Sequence, residues 1–187
     1  MINLDTGISE EACPLDLAPT TSTTAALALG DALAVALLEA KNFKSDDFAK
    51  SHPGGKLGKR LITTVDDLMS KGEDLPIVTK ETSLSETLIE ISSKGLGVAL
   101  VVNKNKLLGI FTDGDLRRTL NNEKDPLNKD IQSFMTQKSK TIQKDCLAIE
   151  ALEIMQNNSI YSLAVLDKKH VPVGVIRMHD LIEAGLV

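Results

Sequence analysis

Tryptophan is absent from the 187 residues, tyrosine occurs once and phenylalanine four times. Stacking platforms for nucleobases or sugar rings need aromatic faces, so such binders are poorly supplied here. Cysteine is as sparse: Cys13 and Cys146 stand far apart and match no metal-ligand or C-x-x-C spacing. No metal site is expected, and a reducing compartment fits this usage. No basic run offsets the surplus of 26 Asp and Glu over 21 Lys and Arg, a formal charge of −5. An acidic chain lacks the field that draws in phosphate backbones, which excludes a nucleic-acid partner. Long apolar runs are missing too. The longest, Ala25 to Leu38, is Ala-rich and interrupted by Gly30 and Asp31, which reads as short of a membrane span. Met1-Ile2-Asn3-Leu4-Asp5 shows no basic segment leading into an apolar one, so no secretory signal is expected and a cytoplasmic location is. The chain does have 42% apolar residues, enough for one ordinary domain or two small ones with their own cores.

An internal repeat dominates residues 66–187. Glu86-Thr87-Leu88 recurs as Glu150-Ala151-Leu152, Leu108-Gly109-Ile110 as Val173-Gly174-Val175, Asp115-Leu116 as Asp180-Leu181, and Met69 as Met135, at separations of 64 to 66. Two copies of one unit therefore stand in tandem. Each reads as a short strand, a helix, two strands and a second helix. In the first copy Ser83 to Glu86 forms a capping box, Leu84, Leu88 and Ile91 share one helical face, and Gly95 ends the helix. Val98 to Val102 is a continuous β-branched run, as in a strand covered on both faces. Asn103 to Lys106 is a turn, and Leu107 to Phe111 returns. The second copy repeats this with a helix over Leu147–Asn157, a strand over Ile160–Leu166, a turn over Asp167–His170 and a strand over Val173–Arg177.

Residues 1–65 differ. Ile2 to Ile8 reads as a strand, Pro14 to Pro19 as a loop, and Thr20 to Thr24 offer hydroxyl caps for a helix running to about Lys41. Its alanines, Ala25, Ala28, Ala32 and Ala36, suit close packing against a neighbour. One strand, one helix and one loop cannot build a core. The segment is either an appendage or the tail of a domain that begins upstream.

Ser51-His52-Pro53-Gly54-Gly55 places a histidine on a turn with little cover, where it can titrate near neutrality as an acid–base group or simply sit at the surface. His170 and His179, at a turn and a helix start, read as solvated. Glu10 and Glu11 follow the first expected strand; a carboxylate there is a general base if a cleft desolvates it and a solvated group otherwise. Cys13 reads as a small buried residue. Gly109-Ile110-Phe111-Thr112-Asp113-Gly114-Asp115 is a strand-to-helix junction. Thr112 can bond a phosphate or sugar oxygen and Asp115 can accept from ribose hydroxyls, while helix capping by Asp113 or Asp115 accounts for the same residues without a ligand. The second copy reads Gly174-Val175-Ile176-Arg177-Met178-His179-Asp180, with Arg177 in place of the hydroxyl. The two junctions are not equivalent.

The repeated units ending in Gly-Ile-Phe-Thr-Asp-Gly-Asp-Leu-Arg-Arg resemble a tandem CBS pair. Cys13-Pro14, Ala18-Pro19-Thr20-Thr21-Ser22-Thr23-Thr24, Gly30-Asp31-Ala32-Leu33-Ala34 and Ser51-His52-Pro53-Gly54-Gly55 resemble the end of a sugar isomerase (SIS) domain, in the order of the D-arabinose 5-phosphate isomerase family. The implied fold is α/β (α+β): a CBS pair over 63–125 and 126–187, preceded at 1–62 by the last strand and helix of a parallel SIS domain. The resemblance implies interconversion of D-ribulose 5-phosphate and D-arabinose 5-phosphate for Kdo and lipopolysaccharide synthesis, with His52 and Glu11 as catalytic groups. It implies a sugar-phosphate substrate and no required cofactor. An aldose–ketose isomerisation moves a proton between C1 and C2 through an enediol, which needs a group titrating near the working pH.

The family's phosphate-binding Ser/Thr loop and catalytic lysine have no counterpart in this sequence, so the expectation is a C-terminal portion that is inactive alone. Two other roles follow from the CBS resemblance. One is a regulatory module binding an adenosine nucleotide or nucleotide sugar through Thr112, Asp115 and Asp180, with Arg177 either spoiling the second site or meeting a phosphate. The other is an oligomerisation module, a CBS-mediated dimer within the family's tetramer.

Overall fold

The computed structural model describes residues 2–51 and 55–187, which divide into two compact units at residues 51 and 52. In the first unit the helix α1 (Thr21–Ala40) is followed by the short α2 (Ser45–Ser51). The strand expected over Ile2–Ile8 is absent: residues 2–20 form bends and turns with no ladder. A strand needs a partner for its backbone N–H and C=O groups, and no other strand exists among the described residues of this unit. The helix matches its expected span but not its expected length limit. Gly30 and Asp31 do not break it, and its 20 residues are, by length and composition alone, apolar enough to cross a membrane. None of its residues is buried within the described structure.

The second unit opens with α3 (Lys56–Ile62) and α4 (Val65–Leu68) and then carries the repeat. Its first copy comprises β1 (Ser70–Lys71), β2 (Ile77–Thr79), α5 (Leu84–Lys94), β3 (Val98–Asn103), β4 (Lys106–Thr112) and α6 (Asp113–Asn122). The second comprises β5 (Thr136–Gln137), β6 (Thr141–Gln143), α7 (Ala148–Asn158), β7 (Ser162–Leu166), β8 (Pro172–Arg177) and α8 (Met178–Glu183). Local chemistry sets the boundaries as the sequence implies. Ser83 Oγ accepts from the Glu86 N–H while the Glu86 carboxylate returns to the Ser83 N–H, and Gly95 ends α5 with φ of 66°. Lys104 and Asn105, at φ of 47° and 63°, make the two-residue turn between β3 and β4. In the second copy the turn is longer, and the Asp167 carboxylate holds it by accepting from the Lys169 and Val171 N–H groups.

The two copies exchange their leading strands. Sheet order is β2-β3-β4-β5 in one sheet and β1-β8-β7-β6 in the other. Thus β5, which leads the second copy, pairs antiparallel with β4 of the first, and β1, which leads the first, pairs antiparallel with β8 of the second. Backbone bonds repeat the exchange with pseudo-two-fold regularity. The Val65 and Asp66 N–H groups donate to the Cys146 and Lys144 carbonyls; the Ile131 and Gln132 N–H groups donate to those of Thr82 and Lys80. Side chains follow the backbone: Val65 and Met69 pack with Ile142, Leu152, Leu163 and Ile176, and Ile131 packs with Val78, Leu84, Val101 and Phe111. Neither copy closes its own core.

Strand β3 is buried on both faces. Ala99 and Val101 join the core under α5, while Val98 and Leu100 meet Ala164 and Val175 of the other copy. The backbone ladder tolerates no side chain where the exchanged strands arrive. A Cβ on Gly109 would lie 2.5 Å from the Thr136 carbonyl oxygen, and one on Gly174 would strike the Met69 thioether and lie 3.1 Å from the Ser70 carbonyl. The recurring Met and Gly of the sequence are thus paired across copies: Met69 with Gly174 and Met135 with Gly109. Gly109→Ala should lower the unfolding free energy by about 1–3 kcal/mol, the usual cost of overpacking against atoms that cannot move aside. Denaturant unfolding measures it, and an unchanged midpoint would contradict the close approach of β5.

Candidate functional site

The junction between β4 and α6 is built by Thr112, the N-cap of α6, and Asp115 three residues on. The Thr112 N–H and hydroxyl both donate to Asp115 Oδ2, at 2.9 and 2.7 Å. Asp115 Oδ1 accepts from the Thr136 hydroxyl at 2.9 Å and from the Arg118 guanidinium. The carboxylate is 5% exposed. It is stabilised there because it accepts from four donors, one of them cationic and one delivered by the exchanged strand β5. Helix capping is therefore the work these residues do without a ligand, with Thr112 rather than Asp113 as the cap. A cavity of about 420 Å³ opens beside Asp115, walled by Arg118, Asn122, Lys129, Ser133 and Phe134 among others. Arg118 is largely solvent-exposed, so its pairing with Asp115 is the one a ligand displaces most cheaply.

The second junction replaces the hydroxyl by a guanidinium. Arg177 Nη2 donates to Asp180 Oδ1 at 2.7 Å and Nε to Oδ2 at 3.3 Å, while the Arg177 N–H donates to Oδ2 at 2.8 Å. Arg177 Nη1 also reaches the Gly95 carbonyl at 3.3 Å, in the other copy. Both junctions thus neutralise an aspartate with an arginine, but from different places: an exposed helical position in the first copy and the strand end in the second.

Glu11 stands in the first unit as the anchor of the turn that enters α1. Its Oε2 accepts from the Thr20 N–H at 2.8 Å, the Thr20 hydroxyl at 3.1 Å and the Ser22 N–H at 3.2 Å, and its Oε1 from the Ser22 hydroxyl. The helix start is capped by this carboxylate and not by a threonine hydroxyl, as the sequence implies; Thr20 makes no side-chain cap. The Ser22 hydroxyl, then the Thr20 N–H, hold the Glu11 carboxyl down at about 2. A carboxylate held this way is a weak proton acceptor at neutral pH. Cys13 is half-buried, and the N–H groups of Ala18, Leu15 and Leu17 lower its thiol below the ordinary value.

His52 lies outside the described residues. His170 occupies its turn at φ of 61°, and His179 pairs with Glu183 at 3.2 Å on α8. No group of three or more potential metal ligands exists among the described residues. Thr136, Arg118 and the Gly95 carbonyl were not visible from the sequence as partners, because each comes from the other copy or from the far side of a helix turn. The one available signal was Met135 repeating Met69: one residue on, Thr136 and Ser70 begin the exchanged strands.

Two strand–helix–strand–strand–helix units, with two facing sheets between them, define a tandem CBS pair. The CBS domain model matches residues 65–122 and 129–186, and the chain belongs to that family. A CBS domain pair solved with 5′-methylthioadenosine and S-adenosyl-L-methionine is 25% identical, covering 65% of this chain and 98% of its own, at a TM-score of 0.57. The structure of CBSX2 with AMP shares the fold at 21% identity, covering 66% and 96%, with a TM-score of 0.57. Beyond the CBS pair, the chain as a whole is similar to arabinose 5-phosphate isomerases: 52% identical over 187 residues to that of Pseudomonas aeruginosa and 46% over 187 residues to that of Escherichia coli. It spans 57% of the length of either relative, the C-terminal part that bears their CBS domains.

A carboxyl lowered from 4.5 to about 2 stabilises the fold above its ordinary value, and that stabilisation is lost as pH falls from about 4.5 to about 2. An NMR titration of the Glu11 carboxyl should therefore show a midpoint near 2, and Ser22→Ala should move it upward. A midpoint at 4.5 in the unsubstituted chain would show that the cap does not form in solution.

Proposed function

We propose that this chain works as part of a cytoplasmic arabinose 5-phosphate isomerase, interconverting D-ribulose 5-phosphate and D-arabinose 5-phosphate for Kdo synthesis, and that its CBS pair senses an adenosine nucleotide or nucleotide sugar. The observation that carries the reading is the reach of the likeness. CBS structures cover 65–66% of the chain, whereas the isomerases match it through residues 1–64 as well. His52 and Glu11 are the proposed acid–base groups. Glu11 serves first by anchoring the turn that carries Cys13; it becomes a base only when substrate displaces the Thr20 and Ser22 donors that hold its proton affinity down.

In isolation the 187 residues do not isomerise. Among the described residues of 2–51 no side chain is buried, so no water-excluding cleft surrounds Glu11, and proton transfer from carbon needs such a cleft. Relatives of the CBS pair are solved with AMP and with S-adenosyl-L-methionine, which supports an adenosine ligand at Thr112 and Asp115. A nucleotide there takes its ribose hydroxyls to Asp115 and its phosphate to the released Arg118. A second role is assembly of a homo-oligomer through the CBS pair.

An assay of the purified chain with D-ribulose 5-phosphate should show no turnover; turnover abolished by His52→Ala would make this chain an enzyme by itself. Calorimetric titration with AMP and ATP should release heat that Asp115→Asn removes. Heat unaltered by that substitution would place the ligand elsewhere. Sedimentation should show more than one chain per particle, and a monomer would dismiss the assembly role.

A further inference from the structure

We propose that Arg177 is a latch between the two CBS copies: it ties Asp180 to the Gly95 carbonyl and so occupies the second junction, leaving the pair with a single ligand site at the first, at Thr112 and Asp115. The part concerning ligand rests on the nucleotide reading above; the latch does not.

The argument starts from the broken symmetry. Position 177 corresponds to Thr112, and a threonine there would make the same two-bond cap to Asp180 that Thr112 makes to Asp115. Capping does not require arginine, since the Arg177 N–H alone already satisfies Asp180 Oδ2. The guanidinium is additional. Its planar fork grips both Asp180 oxygens and still has Nη1 free to reach the Gly95 carbonyl at the end of α5. Gly95 is the left-handed cap just beyond Lys94, the last residue of α5, so its carbonyl lies outside the helix's own hydrogen-bond ladder. A cation arriving from the other copy complements it.

Exposure separates the two arginines. Arg118 is 68% exposed, while Arg177 is 26% exposed and its partner Asp180 11%. The first pair is screened by water and yields to a ligand; the second is partly desolvated, held at three points and spans two structural copies. A ribose seeking Asp180 finds both oxygens bonded to Arg177, whose guanidinium swings aside only by also releasing Gly95. Both aspartate side chains are largely buried, Asp115 at 6% and Asp180 at 11% exposed, so the two junctions differ in how readily the arginine leaves.

The test uses the full chain, Arg177→Thr, which installs the residue of the first copy, and Arg177→Lys, which keeps the charge without the fork. Calorimetry with ATP as probe should give one site per chain in the unsubstituted protein and two in Arg177→Thr. Two sites in the former, or one in the latter, overturn this single-site reading. Hydrogen exchange followed by mass spectrometry reads the latch without ligand. The peptide over residues 92–98 should exchange about tenfold faster in Arg177→Thr, the effect of losing one charge-assisted bond from a locally opening segment. Arg177→Lys should fall between. Unchanged exchange in both variants overturns the latch whatever binds. Faster exchange with no ATP heat in any chain retains the latch and rejects the nucleotide reading.

Discussion

Gly109 and Gly174 are the points at which the halves of the CBS pair meet backbone to backbone, and the rest of that unit depends on the approach they permit. Through them β5 reaches β4 and β1 reaches β8. Once the strands are exchanged, Val65 and Ile131 are each buried in the opposite copy's core, and the Leu84 and Ala148 N–H groups at the helix starts donate to the Lys129 and Thr63 carbonyls of the opposite leading segment. Two small units thereby complete each other's cores and meet in a third cluster of Leu75, Val98, Leu100, Ala164 and Val175 between them.

The exchange also sets the chemistry. Asp115 is tolerated in a buried position because the exchanged strand brings the Thr136 hydroxyl to it. Among the described residues no buried side-chain polar atom lacks a partner, so the junctions are satisfied without ligand and binding must substitute one partner for another. That substitution is cheap where the competing arginine is exposed and costly where it spans copies.

The first unit obeys a different constraint. Its turn from Glu11 to Ser22 is ordered by the Glu11 and Asp16 carboxylates and the Thr20 hydroxyl, and its helix presents Leu27, Leu33, Val35 and Leu37 to the outside. Glu11 therefore sits on a segment whose order is local. A cleft that excludes water is a property of a packed domain, and the described residues of this segment do not pack one.

The repeat, the helices from Ser83 and Leu147, the doubly covered β3 and the turn at Asn103 were legible because each rests on local chemistry: caps, periodicity and turn residues within a few positions. The same local logic misplaced the strand at Ile2–Ile8, since an extended, apolar-alternating segment becomes a strand only beside another. It also read the apolar run interrupted by Gly30 and Asp31 as short of a membrane span, although α1 is continuous through both and, by length and composition alone, apolar enough for one. At the junctions, local pattern places Thr112, Asp115, Arg177 and Asp180 at two unlike helix starts. The crossing of Thr136 to Asp115 and of Arg177 to Gly95 is set by the folded chain. Those partners lie 21 and 82 residues away along the chain, and contacts at such distances follow from strand exchange, which no local pattern encodes.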